Sequence, residues 1–351
     1  MNCKWVSQND KNIKCDRVGD SLGYCIFHKK NKSKRENVLF YAYIKKGKIY
    51  DFTGFYFEEE FNISKIIKYE YEKLKFNEVI FTNRVIFDDY LFKSSVEFSN
   101  TQFEGYTSFN KTTFLKNCTF FKTIFNEKYI NEMIFENANF NGQKLIIEKC
   151  DSFPRLDGVI FSPYTKFILK ETHYNMENAL CGKNNYRIAR IQGKQIEDVE
   201  NIGYYYYNER NYASKFLKDE KYKGYKEYLS TKVFDFLSKH VLGYGEKPLK
   251  LLLISIGVVS IFALIYMFIG IKSLDYGLIK INLHKNPYSF FQFIQYYIEA
   301  WYFSIITFCT VGYGDVVVIG LFGKIVVCME VFLGVTINAM WTSILLTSMI
   351  R

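Results

Sequence analysis

Phenylalanine returns every five or six residues through the first half of the chain: Phe76, Phe81, Phe87, Phe92, Phe98, Phe103, Phe109, Phe114, Phe120 and Phe125, continued by Ile130, Phe135, Phe140 and Leu145. A helix repeats its face about every 3.6 residues and a strand about every 2, so neither produces this beat. Two places before these positions stand small or branched residues, Val85, Val96, Thr101, Thr107, Thr112, Cys118, Thr123 and Ala138. An aromatic and a small residue pointing inward once per side describe a square-sectioned coil, each side one short strand, whose turns bury their interior only by stacking on one another. Ordinary strands with chance spacing are the alternative, and the number of repeats argues against it. The pattern weakens after Leu145 and resumes at Phe161 and Phe167, with Val159 and Thr165 two places earlier. The six-residue steps predict a bulge at a corner.

Two long apolar runs organise the other end. Residues 251–271 carry no charge over 21 positions, which as a helix spans roughly 31 Å, enough to cross a bilayer core. Residues 325–350 form a second run interrupted by Glu330 and a few small polar residues. Between them, the aromatic stretch 289–309, with Glu299 in it, is too short to be a further independent crossing. It predicts a re-entrant helix of about three turns over 297–308, its negative dipole end directed at a central cation. Irregular backbone after such a helix survives at membrane depth only where it is buried in protein or lines a watery cavity.

That backbone reads Thr310, Val311, Gly312, Tyr313, Gly314, Asp315, and it matches the signature loop of potassium-channel selectivity filters, which presents rings of carbonyls to the ion. A lone G-Y-G is more often a tight turn; the flanking residues and a span on each side make the difference here. Residues 249–351 thus resemble a two-transmembrane potassium channel pore of the bacterial type. The resemblance implies K+ as permeant ion, ion binding by Thr310 to Asp315, and a homotetramer, because one filter strand cannot surround an ion. It extends to Gly323, Lys324, Ile325 and Val326 at the start of the inner helix, and to Gly334 at the place of the hinge glycine, where close helix packing is the competing role. The sequence departs from the pattern in three places: Val318 stands where proline is usual, Tyr302 and Phe303 take the aromatic-cuff positions often held by tryptophan, with Trp301 just before, and Ile306 replaces a carboxylate found behind the filter in some members. Glu330, inside a span, needs a partner, and a hydroxyl of the pore helix, Ser304 or Thr307, is the expected one. Asn338 is a candidate for the inner cavity or a helix contact.

The phenylalanine segment, in turn, resembles pentapeptide-repeat proteins, which implies a right-handed quadrilateral β-helix. Some members mimic DNA with acidic surfaces, a role that this chain's net charge of +10 opposes. The expected plan is therefore a multidomain membrane protein: a metal module at 1–35, a linker or cap at 36–75, the β-helix at 76–170, a helical connector at 171–248 and the two-span pore at 249–351.

Cys3, Cys15 and Cys25 with His28 place four soft ligands in a segment too short and too charged to build a core, which suits structural Zn2+. The other cysteines are too scattered to suggest a disulfide framework. The first ten residues are polar, with no signal peptide apparent, so the large N-terminal half and the C-terminus are expected on the cytoplasmic side of a cell membrane, the bacterial inner membrane by the resemblance. Lysines flank the spans on both sides, at Lys247 and Lys250 and at Lys272, Lys280 and Lys285, so they do not set the orientation. The basic run from Lys29 to Arg35 is read as a solvated face, and no nucleic-acid partner is expected. The aromatic and basic stretch 222–236 suits a helix at the lipid headgroups. There is no arginine-rich voltage helix, and no nucleophile–base pair or phosphate loop points to an enzyme. With the pore at the end of the sequence, gating input is expected through the N-terminal half, where an unknown cytoplasmic ligand or protein could dock. A membrane-anchored repeat scaffold with a non-conducting pore is the competing function.

Overall fold

The computed structural model describes residues 2–67, 74–215, 225–240, 243–281 and 289–350. It divides into two compact units, Met1–Lys221 and Tyr222–Arg351.

The first unit is a β-solenoid of about five turns whose four faces are four parallel sheets. Successive rungs are in register: Tyr56, Ile80, Gln102 and Ile124 on one face, and Leu74, Val96, Cys118, Leu145 and Phe167 on another. The remaining faces align Phe61, Val85 and Thr107, and Leu91, Thr113, Asn139 and Ile160. Regular coils are therefore of equal length, as from Leu74 to Val96 and again from Val96 to Cys118. The five-and-six beat is this coil divided among four sides.

Four columns of rings fill the interior. In one, Phe76, Phe98 and Phe120 stack at 5.1 and 5.0 Å with planes within 9°; in another, Phe92, Phe114 and Phe140 stack at 4.9 and 4.7 Å. The small residues of the pattern are explained by the same geometry. Buried Thr112, Thr123 and Thr165 each donate Oγ1 to the carbonyl of the residue 25 places earlier, at 2.8, 2.6 and 2.9 Å, which satisfies a hydroxyl that would otherwise be costly in an apolar core. Cys118 and Cys150 fill the same kind of place; burial pushes the Cys150 thiol up to about 12, so it acts as a small apolar group.

The corner irregularity falls in the five-residue steps, contrary to the expectation from spacing. Glu78, Asp89, Asn100, Lys111 and Lys122, one for every two sides of the coil, take left-handed backbone with φ between 51° and 58°. A side one residue shorter must turn more sharply, and a turn closed by Tyr90 N–H on the Phe87 carbonyl, or by Thr112 N–H on that of Phe109, needs that conformation. Each such residue costs about 1 kcal/mol, which the paired rungs on either side sustain.

The solenoid also starts earlier than expected. The segment 36–75, expected as a linker or cap, holds helix α1 (Lys34–Gly47), the first-coil strands Tyr56–Phe57 and Phe61–Asn62, and the single turn α2 (Ile63–Ile66). Phe52 and Phe57 already occupy columns, stacked on Phe76 and Phe81, but a four-residue step from Phe57 to Phe61 breaks the beat that would have revealed them. α1 covers this end by burying Phe40 and Ile44, with Phe40 edge-on to Phe57 at 5.1 Å.

Helices α3 (Ala179–Gln195) and α4 (Val199–Ser214) close the other end. An edge strand exposes unpaired amides and carbonyls, and here tyrosine hydroxyls take them. Tyr205 donates to the Phe167 carbonyl at 3.0 Å and accepts from Leu169 N–H, while Tyr204 and Tyr212 accept from Glu171 and Tyr174 N–H at 3.1 and 3.0 Å. The tyrosine run is thus an edge cap, a role its composition did not reveal. Tyr205→Phe keeps the ring and strands these two groups, so it is expected to cost about 1–3 kcal/mol, read as a lowered unfolding midpoint.

The second unit contains α5 (Tyr225–His240), α6 (Pro248–Ile269), α7 (Phe290–Phe308) and α8 (Gly320–Ile350). α6 and α8 are long and apolar enough to cross a membrane. α7 begins about two turns before the expected start at 297, since nothing between Ser289 and Phe308 breaks a helix and Gln292 Oε1 accepts from Ser289 N–H at its start. A three-stranded antiparallel sheet, Ile271–Ser273 with Gly277–Ile279 and Val316–Val318, joins the end of α6 to the stretch after α7. Residues 222–224 of the expected headgroup helix, and Lys285, lie outside the described residues.

Candidate functional site

In the first unit the structure brings Cys3, Cys15, Cys25 and His28 together, all buried, with their ligand atoms within 4.8 Å of one another. A tetrahedral centre bonded to sulfur at ~2.3 Å and nitrogen at ~2.0–2.1 Å holds sulfurs about 3.8 Å apart and sulfur about 3.6 Å from nitrogen. Cys15 and Cys25 Sγ are 3.8 Å apart, and His28 Nδ1 lies 3.5 Å from Cys3 Sγ and 3.3 Å from Cys25 Sγ. The other ring nitrogen, Nε2, faces the Thr53 carbonyl at 3.4 Å. A carbonyl only accepts, so the ring proton belongs there and the Nδ1 lone pair is left for a metal. Burial lowers the His28 imidazole to about 4 and raises the Cys25 thiol to about 12; a bound cation favours the thiolate and reverses that second effect. Trp5 stacks on His28 at 4.5 Å, and Gly54, at φ +75°, is bare because a Cβ would meet the Trp5 ring at 2.2 Å. The cluster can hold a metal ion.

In the second unit α7 ends at the loop singled out by its sequence. Val311 and Gly312 N–H donate back to the Ile306 carbonyl at 2.8 and 3.3 Å. A trans peptide points its N–H and C=O in opposite directions, so the carbonyls of Thr310 and Val311 face away from the helix. Backbone hand alternates along the loop: Thr310, Gly312 and Gly314 have φ of 59°, 56° and 81°, with Val311 and Tyr313 between them at negative φ. Such alternation lets successive carbonyls line one side of a strand. At both glycines a Cβ would meet nothing within 4 Å, so they are needed for conformation and not for room. Asp315 is tied back to α7, since Tyr302 donates its hydroxyl to Oδ2 at 2.7 Å, and Trp301 Nε1–H reaches Ser260 of α6 at 3.3 Å. Val318, at the position usual for proline, pairs with Ile271 in the small sheet.

Residues 254–351 match the family model described as an ion channel. Over this stretch the chain is similar to ion channel domains. No curated protein and no solved structure matches the chain. The similarity to ion channels and the two helices long and apolar enough to cross a membrane support a membrane protein.

Within the channel domain, Glu330 of α8 is fully buried and holds three helices together. Tyr266 of α6 donates to Oε2 at 2.5 Å, Ser304 of α7 bonds to Oε1, and Ser304 Oγ also lies 2.9 Å from the Val259 carbonyl of α6. Ser304 was an expected partner; Tyr266, on a different helix far back in the chain, could not be paired by spacing. One turn along α8, the competing role of Gly334 is the one visible: a Cβ there would stand 2.1 Å from the Phe308 carbonyl, and the helix runs unbroken through it. Glu330 with Ser304 and Gly334 with Phe308 thus set one register between α8 and α7.

Proposed function

We propose that the chain is the subunit of a potassium-selective channel that conducts as a homotetramer. The observation that carries this reading is the loop of alternating hand at the C-terminal end of α7, between two apolar helices. Its carbonyls and the Thr310 hydroxyl replace the ion's water, and several weak sites in line let the ion leave. Val311 and Tyr313 are 51% and 73% exposed in the single chain, apolar surface that neighbouring subunits would cover. Bending of α8 at Gly334 would bear on the end of the pore helix, and so on the base of the filter. Purified protein in liposomes is expected to pass K+ and reject Na+ by at least about 100-fold in flux. Equal fluxes would overturn potassium selectivity, and no flux across lipid composition, pH and voltage would leave the anchored-scaffold reading instead.

The solenoid is assigned a sensing or docking role on the cytoplasmic side, with zinc in the Cys3His site. α5 exposes Leu229, Val233, Phe234 and Phe236 beside Lys226 and Lys232, which suits a helix lying at the headgroups. Metal analysis is expected to find about one zinc per chain and, for Cys15→Ser, less than about a fifth of that, with faster proteolysis within residues 2–33. Full zinc loading of the Cys15 variant would move the site elsewhere.

A further inference from the structure

Beside the metal cluster a cavity of about 580 Å³ opens on the outer surface of the solenoid. Its floor is one residue per rung, Tyr56, Ile80 and Gln102, in register on one sheet, and the next rung, Ile124, continues it into an adjoining cavity of about 350 Å³. The N-terminal segment forms a wall and is fixed in place: Ser7 Oγ and Gln8 N–H donate to the Glu78 carboxylate at 2.5 and 2.8 Å, and Asn100 Nδ2 donates to Asn9 Oδ1 at 2.8 Å. Trp5 closes the side next to the metal ligands.

The volume lies within the ~300–1,000 Å³ usual for small-molecule sites, and the lining is chemically selective. The oxygens of the Glu78 carboxylate are already taken by three donors, the Ser7 hydroxyl and the Gln8 and Asn9 N–H groups, so a ligand finds its free polar partners elsewhere in the lining. Among the described residues, Lys30 Nζ meets only the Tyr56 ring, at 5.4 Å. The carboxamides of Gln8 and Gln102 have no partner among the described residues, and each offers both donors and an acceptor. A cation at one end, carboxamides in the middle and aromatic faces beside them complement an anionic group attached to a planar heterocycle. From Tyr56 to Gln102 the floor covers two rung spacings, about 10 Å, the reach of a single nucleotide.

We propose that this groove binds a nucleoside monophosphate, with the phosphate at Lys30 and the base over Ile80, its edge read by Gln8 and Gln102. The inference rests on the sensing role given to the solenoid. The test is calorimetric titration of the full-length protein in detergent with the four 5′-nucleoside monophosphates, adenosine and inorganic phosphate. At least one monophosphate is expected to bind with Kd below about 1 mM, and at least about tenfold more tightly than adenosine or phosphate. Lys30→Glu and Gln102→Trp, the second filling the groove from an outward-facing strand position, are each expected to weaken binding at least about tenfold while zinc content stays at the parent level. Lys75→Glu, on another face, is expected to change nothing. The inference is overturned if none of the four binds, if adenosine or phosphate binds equally well, or if neither groove variant weakens binding while zinc is retained. K+ flux from the same preparation separates the two readings: conduction without nucleotide binding removes only this one, and binding without conduction removes the channel.

Discussion

Gly312→Asp is expected to assemble like the parent and to pass no measurable K+, a fall of at least about 100-fold in liposome flux. The backbone at 312 is left-handed, a region aspartate tolerates at a cost of about 1 kcal/mol. A Cβ there meets no neighbour within 4 Å, so nothing in the subunit forces misfolding. The open space is the point: on the proposed reading it is the ion's path, and four carboxylates in it either trap the cation or push the carbonyls out of line. Oligomer size by light scattering and flux are measured on one sample. A variant that is tetrameric and conducts like the parent would take the filter role away from this loop.

Glu330 gives the second large effect. Ser304 has one proton and faces two acceptors, the Val259 carbonyl at 2.9 Å and Glu330 Oε1, while Tyr266 supplies a donor to Oε2. The group at position 330 therefore has to meet two hydroxyls, one from each neighbouring helix. Glutamine can do so on the same skeleton, its oxygen accepting from Tyr266 and its amide donating to Ser304 Oγ, whose proton then goes to the Val259 carbonyl. Glu330→Gln is expected to hold stability within about 1 kcal/mol and to conduct, whereas Glu330→Ala leaves buried groups unmet at a cost of about 2–5 kcal/mol and loosens the pore helix from α6 and α8. Unfolding midpoint and K+ flux, compared across the two variants, decide it: a Gln variant as impaired as the Ala variant would mean that the carboxyl group itself is required.

The parts most legible in the sequence were those in which one physical requirement repeats or stands apart. The phenylalanine beat exposed the solenoid because every coil meets the same packing problem. The apolar runs exposed the two helices long enough to cross a membrane, and four soft ligands in a polar segment exposed the cluster that can hold a metal. What stayed hidden depended on partners distant in sequence. Tyr204, Tyr205 and Tyr212 looked like connector composition because the backbone they cap, from Leu169 to Tyr174, lies far upstream, beyond the whole of α3. Phe52 and Phe57 were missed because a short step broke the beat, and the corners were put on the wrong sides because spacing counts residues without saying which of them turn. At Gly334 the sequence put a bend only slightly ahead of a contact; the Phe308 carbonyl 2.1 Å from a Cβ placed there supplies the contact.

The stacked columns also bear on how this domain can change over evolutionary time. Because rungs recur at a constant interval, Leu74 to Val96 to Cys118, with the same ring above the same ring, a duplication or deletion of one whole coil leaves every remaining side chain with an equivalent neighbour. Each such event would lengthen or shorten the rod by about 4.8 Å and disturb neither the end that carries the cysteine cluster nor the tyrosine cap. An insertion of another length keeps the rings in column only where a corner absorbs it, as in the longer coil from Thr113 to Asn139, across which Phe114 and Phe140 still stack at 4.7 Å. The domain is thus a spacer adjustable in fixed increments of height, and homologues are expected to differ by whole coils between their two caps.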